Sequence, residues 1–142
     1  MVTNKLTKKG YNSSLGADFS IQSNSFLGDK NIVFTSRMAK TLEKDAPPNT
    51  YAGFFSLDFP NDLIDQYVSY SFFQKNFNPQ MGFINRTGVQ KYEYSLDVKP
   101  RINAYGIRRL FFTPFETDMY FDKDNILQQA SFFIQPFGFS LL

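Results

Sequence analysis

The chain has 142 residues, which fits one domain, and 15 basic against 13 acidic residues give it a formal net charge of +2. Because no basic block dominates, the charge balance gives no argument for nucleic acid as a partner. The absence of Cys and His excludes disulfides and thiolate catalysis, and it removes the usual general base and the commonest transition-metal ligand. We therefore expect no cofactor and no metal site.

Phenylalanine dominates the composition. There are 18 Phe and 8 Tyr but no Trp, and hydrophobic residues make up 42% of the chain, too many for a disordered protein. Many aromatics stand at every second position, between polar or charged residues. Since successive side chains of a β-strand point to opposite faces, this period predicts strands with one aromatic and one polar face. The aromatic face must then contact either a protein core or lipid.

The first half of the chain is predicted to form four strands. Alternation over residues 15–22 and 32–38 indicates the first two, and helical signals are poor apart from a short turn at 38–44 that Pro47 and Pro48 would end. The third and fourth strands are predicted at 51–59 and 67–75, on either side of a tight turn at 60–62.

The second half begins with an irregular stretch at 76–88. Strand five, 90–98, has the clearest two-faced pattern, with Tyr92 and Tyr94 on one face and Lys91 and Glu93 on the other. A turn at 100–106 precedes strand six at 107–121, bent at Pro114, and a reversal at 122–125 leads to strand seven at 126–142. Short turns imply antiparallel neighbours, so the predicted fold is all-β, an antiparallel up-and-down meander of about seven strands. Several strands reach the roughly 9–11 residues that cross a bilayer.

The irregular stretch also carries a family resemblance. The segment Asn-Phe-Asn-Pro-Gln-Met-Gly-Phe-Ile-Asn-Arg at 76–86, with Pro100-Arg101 and Ile107-Arg108-Arg109, resembles a large bacterial family of unknown function. Shorter stretches fit the same family at 2–4, 16–19, 26–31 and 59–62. Its members are similar to outer-membrane β-barrels that follow a module like carbohydrate-binding family 9. The resemblance implies part of a transmembrane-type β-barrel in the outer membrane of Gram-negative bacteria, with the lipid bilayer as partner and a link to glycan or lipopolysaccharide.

The extent of the sequence leads to a further expectation. It shows no secretory signal, no carbohydrate-binding module and no terminal aromatic residue. Closed bacterial barrels in single chains have an even count of at least 8 strands. We therefore expect residues 1–142 to be a single partial barrel domain and an internal fragment of a larger protein; the alternative is a chain that stays inside the cell.

The stretch at 76–88 supplies the first candidate site. Its candidate ligand contacts are Asn76, Asn78, Pro79, Gly82 and Arg86. In the functional interpretation it is a constriction or docking loop, and Arg86 presents its planar fork to a carboxylate, phosphate or sugar. In the structural interpretation, which we favour, the Asn side chains satisfy turn backbone, and Phe77 and Phe83 anchor the loop in the barrel.

Four arginines supply the second candidate. Arg86, Arg101, Arg108 and Arg109 could form a basic patch for lipopolysaccharide phosphates or an anionic solute. The favoured alternative is that they pair with Glu93, Asp97 or Glu116 as ordinary surface ion pairs.

Carboxylates and aromatics complete the candidates. Two groups, Asp58, Asp62 and Asp65, and Asp118, Asp122 and Asp124, could hydrolyse a glycoside or hold Ca²⁺. Both groups lie at predicted turns, where Asp is ordinary, so we expect no catalytic residue. The tyrosines are predicted to form an interfacial girdle. Two other functions remain open: a soluble antiparallel barrel that binds an apolar ligand in its interior, and a glycan-active hydrolase.

Overall fold

A computed structural model describes residues 1–7, 10–44, 47–80, 82, 84 and 86–141. In these residues the regular structure is all β-strand, and nine strands form one antiparallel sheet. The strands are β1 (Val2–Thr7), β2 (Gly10–Phe26), β3 (Lys30–Glu43), β4 (Tyr51–Pro60), β5 (Ile64–Phe73), β6 (Val89–Val98), β7 (Arg101–Ala104), β8 (Ile107–Asp122) and β9 (Leu127–Leu141). None of the described residues belongs to a helix long and apolar enough to cross a membrane.

The strands follow one another as a meander. Each of β1 to β5 pairs with the next strand along the chain, and β6 pairs with β8. The short strand β7 pairs with the other half of β8, on the same side as β6, so β6 and β7 are one strand interrupted at Lys99 and Pro100. The far side of β8 pairs with β9. Among the described residues, β1 and β9 each have one unpaired edge, and the sheet is therefore open.

Register places side chains of seven neighbouring strands in lateral rows that alternate between the two faces. One row defines the polar face and contains Ser20, Thr35, Ser56, Ser69, Glu93, Asp118 and Ser131. The adjacent row defines the aromatic face and contains Ile21, Phe34, Leu57, Val68, Tyr94, Thr117 and Phe132. The period-2 sequence pattern is thus continued across the whole sheet.

The aromatic face is exposed and the polar face is buried, whereas in a soluble β-sandwich the apolar face is the buried one. On the aromatic face, Phe19 is 58% exposed and Phe132 is 63% exposed. The rings contact one another along the sheet, with Tyr70 and Tyr92 at 4.9 Å between centroids. On the polar face, Ser69 is only 2% exposed. Large apolar side chains therefore cover one side of the sheet without a second layer over them in the described residues.

The two ends of the sheet differ in their connections. At one end, called the turn end, hairpins close through residues 27–29, 61–63 and 105–106. Tyr105 and Gly106 both have positive φ, 55° and 76°, as a two-residue type I′ hairpin requires. At the other end, called the loop end, the connections include the longer segments 44–50 and 74–88.

Several predicted boundaries need correction. The helical turn expected at 38–44 is wrong, because those residues continue β3, paired with β2 as far as Glu43 opposite Asn12. Pairing with a long neighbour overrides the weak local preference. The turn predicted at 100–106 contains strand β7, and only Tyr105 and Gly106 turn. Strand β1 was not predicted either, and with β1 and β7 the count of about seven becomes nine among the described residues. A bend was predicted at Pro114, and the pairing of β8 with β9 shifts register between Thr113 and Glu116, on either side of this proline.

Candidate functional site

The described residues between β5 and β6, which are 74–80, 82, 84 and 86–88, are called the crossing loop, and Asn78 and Gln80 reach back to β2 and β3. The Asn78 backbone N–H donates to Thr41 Oγ1 at 3.2 Å. Asn12 Nδ2 donates to the Asn78 carbonyl at 2.9 Å, and the Gln80 N–H donates to Asn12 Oδ1 at 3.3 Å. Since β4 lies between β5 and these partners, the loop covers the loop end of the polar face.

Asn12 and Thr41 are the anchors of this loop. Asn12 is 4% exposed and Thr41 is 1% exposed, and Asn12 Nδ2 also contacts Glu43 Oε2 at 3.2 Å. A buried amide satisfied on both its oxygen and its nitrogen fixes the loop geometrically. Neither residue was identified from the sequence, because the contacts join positions 37 to 68 residues apart and no local pattern marks them.

The first residues of the loop have structural roles. Asn76 Nδ2 donates to the Pro48 carbonyl at 2.6 Å, and its backbone N–H donates to the Asn49 carbonyl at 3.0 Å. The side chain of Phe77 is buried, and its ring lies 6.3 Å from that of Phe73. These contacts tie the loop to the neighbouring β3–β4 connection.

A tight turn follows within the loop. The Gly82 N–H donates to the Pro79 carbonyl at 2.9 Å, a turn in which Pro79 also fixes φ. These contacts fit the structural interpretation for Asn76, Pro79 and Gly82, whereas the contacts of Asn78 are made by its backbone. The predicted anchor Phe83 and the motif residue Asn85 lie outside the described residues.

Arg86 lies beside the polar face of β8. Its guanidinium carbon is 5.8 Å from the centroid of the Tyr120 ring, and Lys91 Nζ is 5.4 Å from the same centroid. Within the described part of the chain, no carboxylate pairs with Arg86. A cation over an aromatic face gains attraction from the ring quadrupole.

Arg101 and Arg109 converge on Asp62 at the turn end. Arg101 binds it through two bonds, Nε to Oδ2 at 2.7 Å and Nη2 to Oδ1 at 2.8 Å, and Arg109 Nη2 also donates to Oδ1. The hydrogen bond from Arg101, with that from Arg109, lowers the pKa of Asp62 to about 2. The predicted pairing of these arginines with Glu93, Asp97 or Glu116 is therefore wrong.

The four arginines do not form one patch. Arg86 is in the loop at the loop end, whereas Arg101 and Arg109 are at the turn end with Asp62. Arg108 is exposed, is next to Arg109 along β8, and forms no ion pair with any described residue. A single binding surface made by all four side chains is excluded by their separation on the sheet.

A charge network crosses the polar face instead. Glu93 accepts a hydrogen bond from Ser69 Oγ at 2.6 Å and pairs with Lys91. Lys91 Nζ also lies 3.1 Å from Asp118, which accepts from Ser131 Oγ at 3.4 Å. Four strands, β5, β6, β8 and β9, are linked in this way. Such a linked network contributes more than isolated surface ion pairs do.

Asp65, Asp122 and Asp124 have turn or pairing roles, whereas Asp58 forms no ion pair with a described residue. Asp122 Oδ1 accepts the backbone N–H groups of Asp124 and Ile126, both at 2.9 Å, and so closes the β8–β9 turn. Asp65 pairs with Lys99 Nζ at 2.6 Å. No set of three or more metal-ligating side chains converges in the part of the chain that the structure describes.

Tyrosines are not confined to the margins of the aromatic face. Tyr70, Tyr92 and Tyr94 lie on that face in the middle of β5 and β6, while Tyr67 and Tyr120 lie on the polar face by register. A girdle at the two membrane interfaces therefore does not describe these five tyrosines.

Comparison with known proteins adds no assignment, because no family model, curated protein or solved structure matches this chain. The family resemblance of the loop segment thus stays a prediction.

Proposed function

We propose that this chain forms part of the wall of a transmembrane β-barrel of the outer-membrane type, in which it serves as scaffold, pore or surface anchor. The proposal depends chiefly on the uncovered aromatic face. Exposed apolar patches larger than a few hundred Å² mark contacts with another apolar partner. Contact with lipid would remove this face from water, which stabilises the protein by about 25 cal/mol for each Å² of apolar surface buried.

The strands have the length that such a role needs. Leaving aside β1 and the short β7, every strand has 10 to 17 residues. A tilted strand crosses the hydrocarbon region with roughly 9–11 residues. Lipid offers no hydrogen bonds, so the open edges of β1 and β9 must be paired by closure or by further strands.

The polar face suits the lumen of the barrel. It holds the network of Ser69, Lys91, Glu93 and Asp118, whose charges would otherwise need to enter lipid. The crossing loop lies over the same face and would narrow the lumen at the loop end. Outer-membrane barrels have short periplasmic turns and longer external loops, so we assign the turn end to the periplasmic side.

The family resemblance extends the proposal to the cell surface. A barrel that follows a carbohydrate-binding module would hold that module at the membrane, next to glycan or lipopolysaccharide. Any hydrolytic activity would then belong to the module, because five of the six candidate carboxylates of this sheet pair with Lys or Arg or close a turn: Asp62, Asp65, Asp118, Asp122 and Asp124.

Cell fractionation tests the proposal. We expect the full-length protein in the membrane fraction, resistant to a carbonate wash that releases peripheral proteins, and extracted by detergent. A variant with Phe19 and Phe132 both changed to Ser should be extracted more readily, whereas Ser20→Ala and Ser131→Ala, on the other face, should behave like the native protein. Recovery of the full-length protein as a soluble monomer in buffer would reject the membrane assignment.

A further inference from the structure

An apolar cavity interrupts the polar face under the crossing loop. Its volume is about 400 Å³. Its floor consists of Gly16, Ala39 and Ala52, which are directly opposite one another on β2, β3 and β4. These are the two smallest residue types, and three of them in one lateral row leave an empty space. Side chains as large as those in the neighbouring rows would fill that space.

The walls of the cavity are apolar. Phe73, Phe77 and Pro79 lie on the side of the crossing loop, and Phe54 lies on the opposite side. Phe77 and Ala52 are each only 6% exposed, so wall and floor are already held in place. The volume is within the range of about 300–1,000 Å³ that is typical of small-molecule sites.

The cationic side chain of Arg37 lies at the edge of the cavity. The guanidinium carbon of Arg37, which lines the cavity, is 5.2 Å from the centroid of the Phe54 ring. Asp18 is opposite Arg37 in the β2–β3 ladder, but no ion pair within 4.0 Å joins Arg37 to any described carboxylate. Stacking on a ring orients the planar fork while its N–H groups stay free to bind an anion.

We propose that this cavity binds a small apolar monocarboxylate, such as a medium-chain fatty acid. Its carboxylate would accept two hydrogen bonds from Arg37, and its hydrocarbon chain would lie on the floor of Gly16, Ala39 and Ala52 between the phenylalanine walls. A carboxylate matches the guanidinium fork in a way that a neutral or cationic head group does not. The site is on the polar face, so it does not depend on what covers the aromatic face.

Calorimetric titration with octanoate and with octanol tests the charge requirement. Both ligands have the same chain length, and the protein is held in amphipol, or in plain buffer if it is soluble there. We expect octanoate to bind about tenfold or more tightly than octanol, the size of effect that charge-assisted hydrogen bonds give. The Arg37→Gln variant should lose that preference while its octanol affinity stays the same, and Asp18→Asn should increase octanoate affinity by removing a nearby like charge.

Filling the cavity tests the location. Ala39→Phe should abolish binding of both ligands, and Ala130→Phe, which adds the same ring on the aromatic face of β9, should leave both affinities unchanged. Far-UV circular dichroism spectra confirm that each variant is folded. Any of three results would overturn the proposal. Octanoate binds the native protein and Arg37→Gln with equal affinity, Ala39→Phe still binds the ligands, or the native protein does not bind octanoate. Each of these outcomes is distinct from failure of the fractionation test.

Discussion

Val68 offers the sharpest mutational test of which medium contacts the aromatic face. It lies in the middle of β5, is 42% exposed, and is flanked in its row by Leu57 and Tyr94. In a membrane barrel, an Arg on the lipid face near the bilayer midplane costs about 2–4 kcal/mol. Val68→Arg should therefore reduce the folded-to-unfolded ratio by about 30- to 700-fold, since every 1.4 kcal/mol is a factor of ten.

The assay is guanidinium unfolding of the protein refolded in phospholipid vesicles, followed by far-UV circular dichroism. Tyr67→Arg is the matched control, because Tyr67 is the next residue but lies on the polar face, opposite Asp58 and Ser95. That variant places the cation beside a carboxylate, and its stability should stay within about 1 kcal/mol of the native protein. The assignment of the faces would be refuted if Val68→Arg were as stable as the native protein, or if both variants lost the same free energy of unfolding.

Three other changes probe the loop, the turn end and the sheet. Asn12→Ala leaves the Asn78 carbonyl and the Gln80 N–H without their partner and should cost about 1–3 kcal/mol, with faster hydrogen exchange at residues 76–80 and no such change in the neighbouring Ser13→Ala. Because the folded-state pKa of Asp62 is lowered to about 2, its stabilising contribution is present above its ordinary pKa of 3.8 and disappears as the pH falls toward 2. Unfolding midpoints at about pH 6 and about pH 3 should therefore differ less in Asp62→Asn than in the native protein, and an unchanged difference would contradict the pairing with Arg101 and Arg109. Gly53→Ala would bring a methyl group to 2.8 Å from Phe72 Cζ and from Met38 Sδ, and this overpacking should lower the free energy of unfolding by about 1–3 kcal/mol. Gly16→Ala is the control, because its methyl group would meet the Met38 carbonyl oxygen at an ordinary 3.6 Å. That variant should be tolerated in the same unfolding assay.

The strands and their faces could largely be predicted from the sequence, because a period of two is a property of each strand by itself. Tyr92 and Tyr94 on one face and Lys91 and Glu93 on the other are confirmed by the ladders with β5 and β8. The ends of long strands were predicted less well. Residues 38–43 have no clear alternation, and their pairing with β2, and with β4 as far as Lys40, makes them strand.

The contacts of the site could not be predicted, since they join residues that are distant in sequence. Asn12 has no local signal, and it gains its role only when the crossing loop folds back over β2. Arg101 was expected to pair with acids on strand faces, but the interruption of the strand at Lys99 and Pro100 places it next to Asp62 at the adjacent turn. Loop closure and strand interruption are tertiary events that a pattern of residue types does not encode.

Site-directed spin labelling tests the central claim most directly. The chain has no Cys, so single Cys variants at Ser56 and Leu57, which are neighbours on opposite faces of β4, can be labelled without background. In vesicles, the account predicts that a nitroxide at position 57 is relaxed mainly by oxygen, which concentrates in lipid, and one at position 56 mainly by a water-soluble nickel chelate. A label at position 57 that is relaxed by nickel and not by oxygen would contradict it.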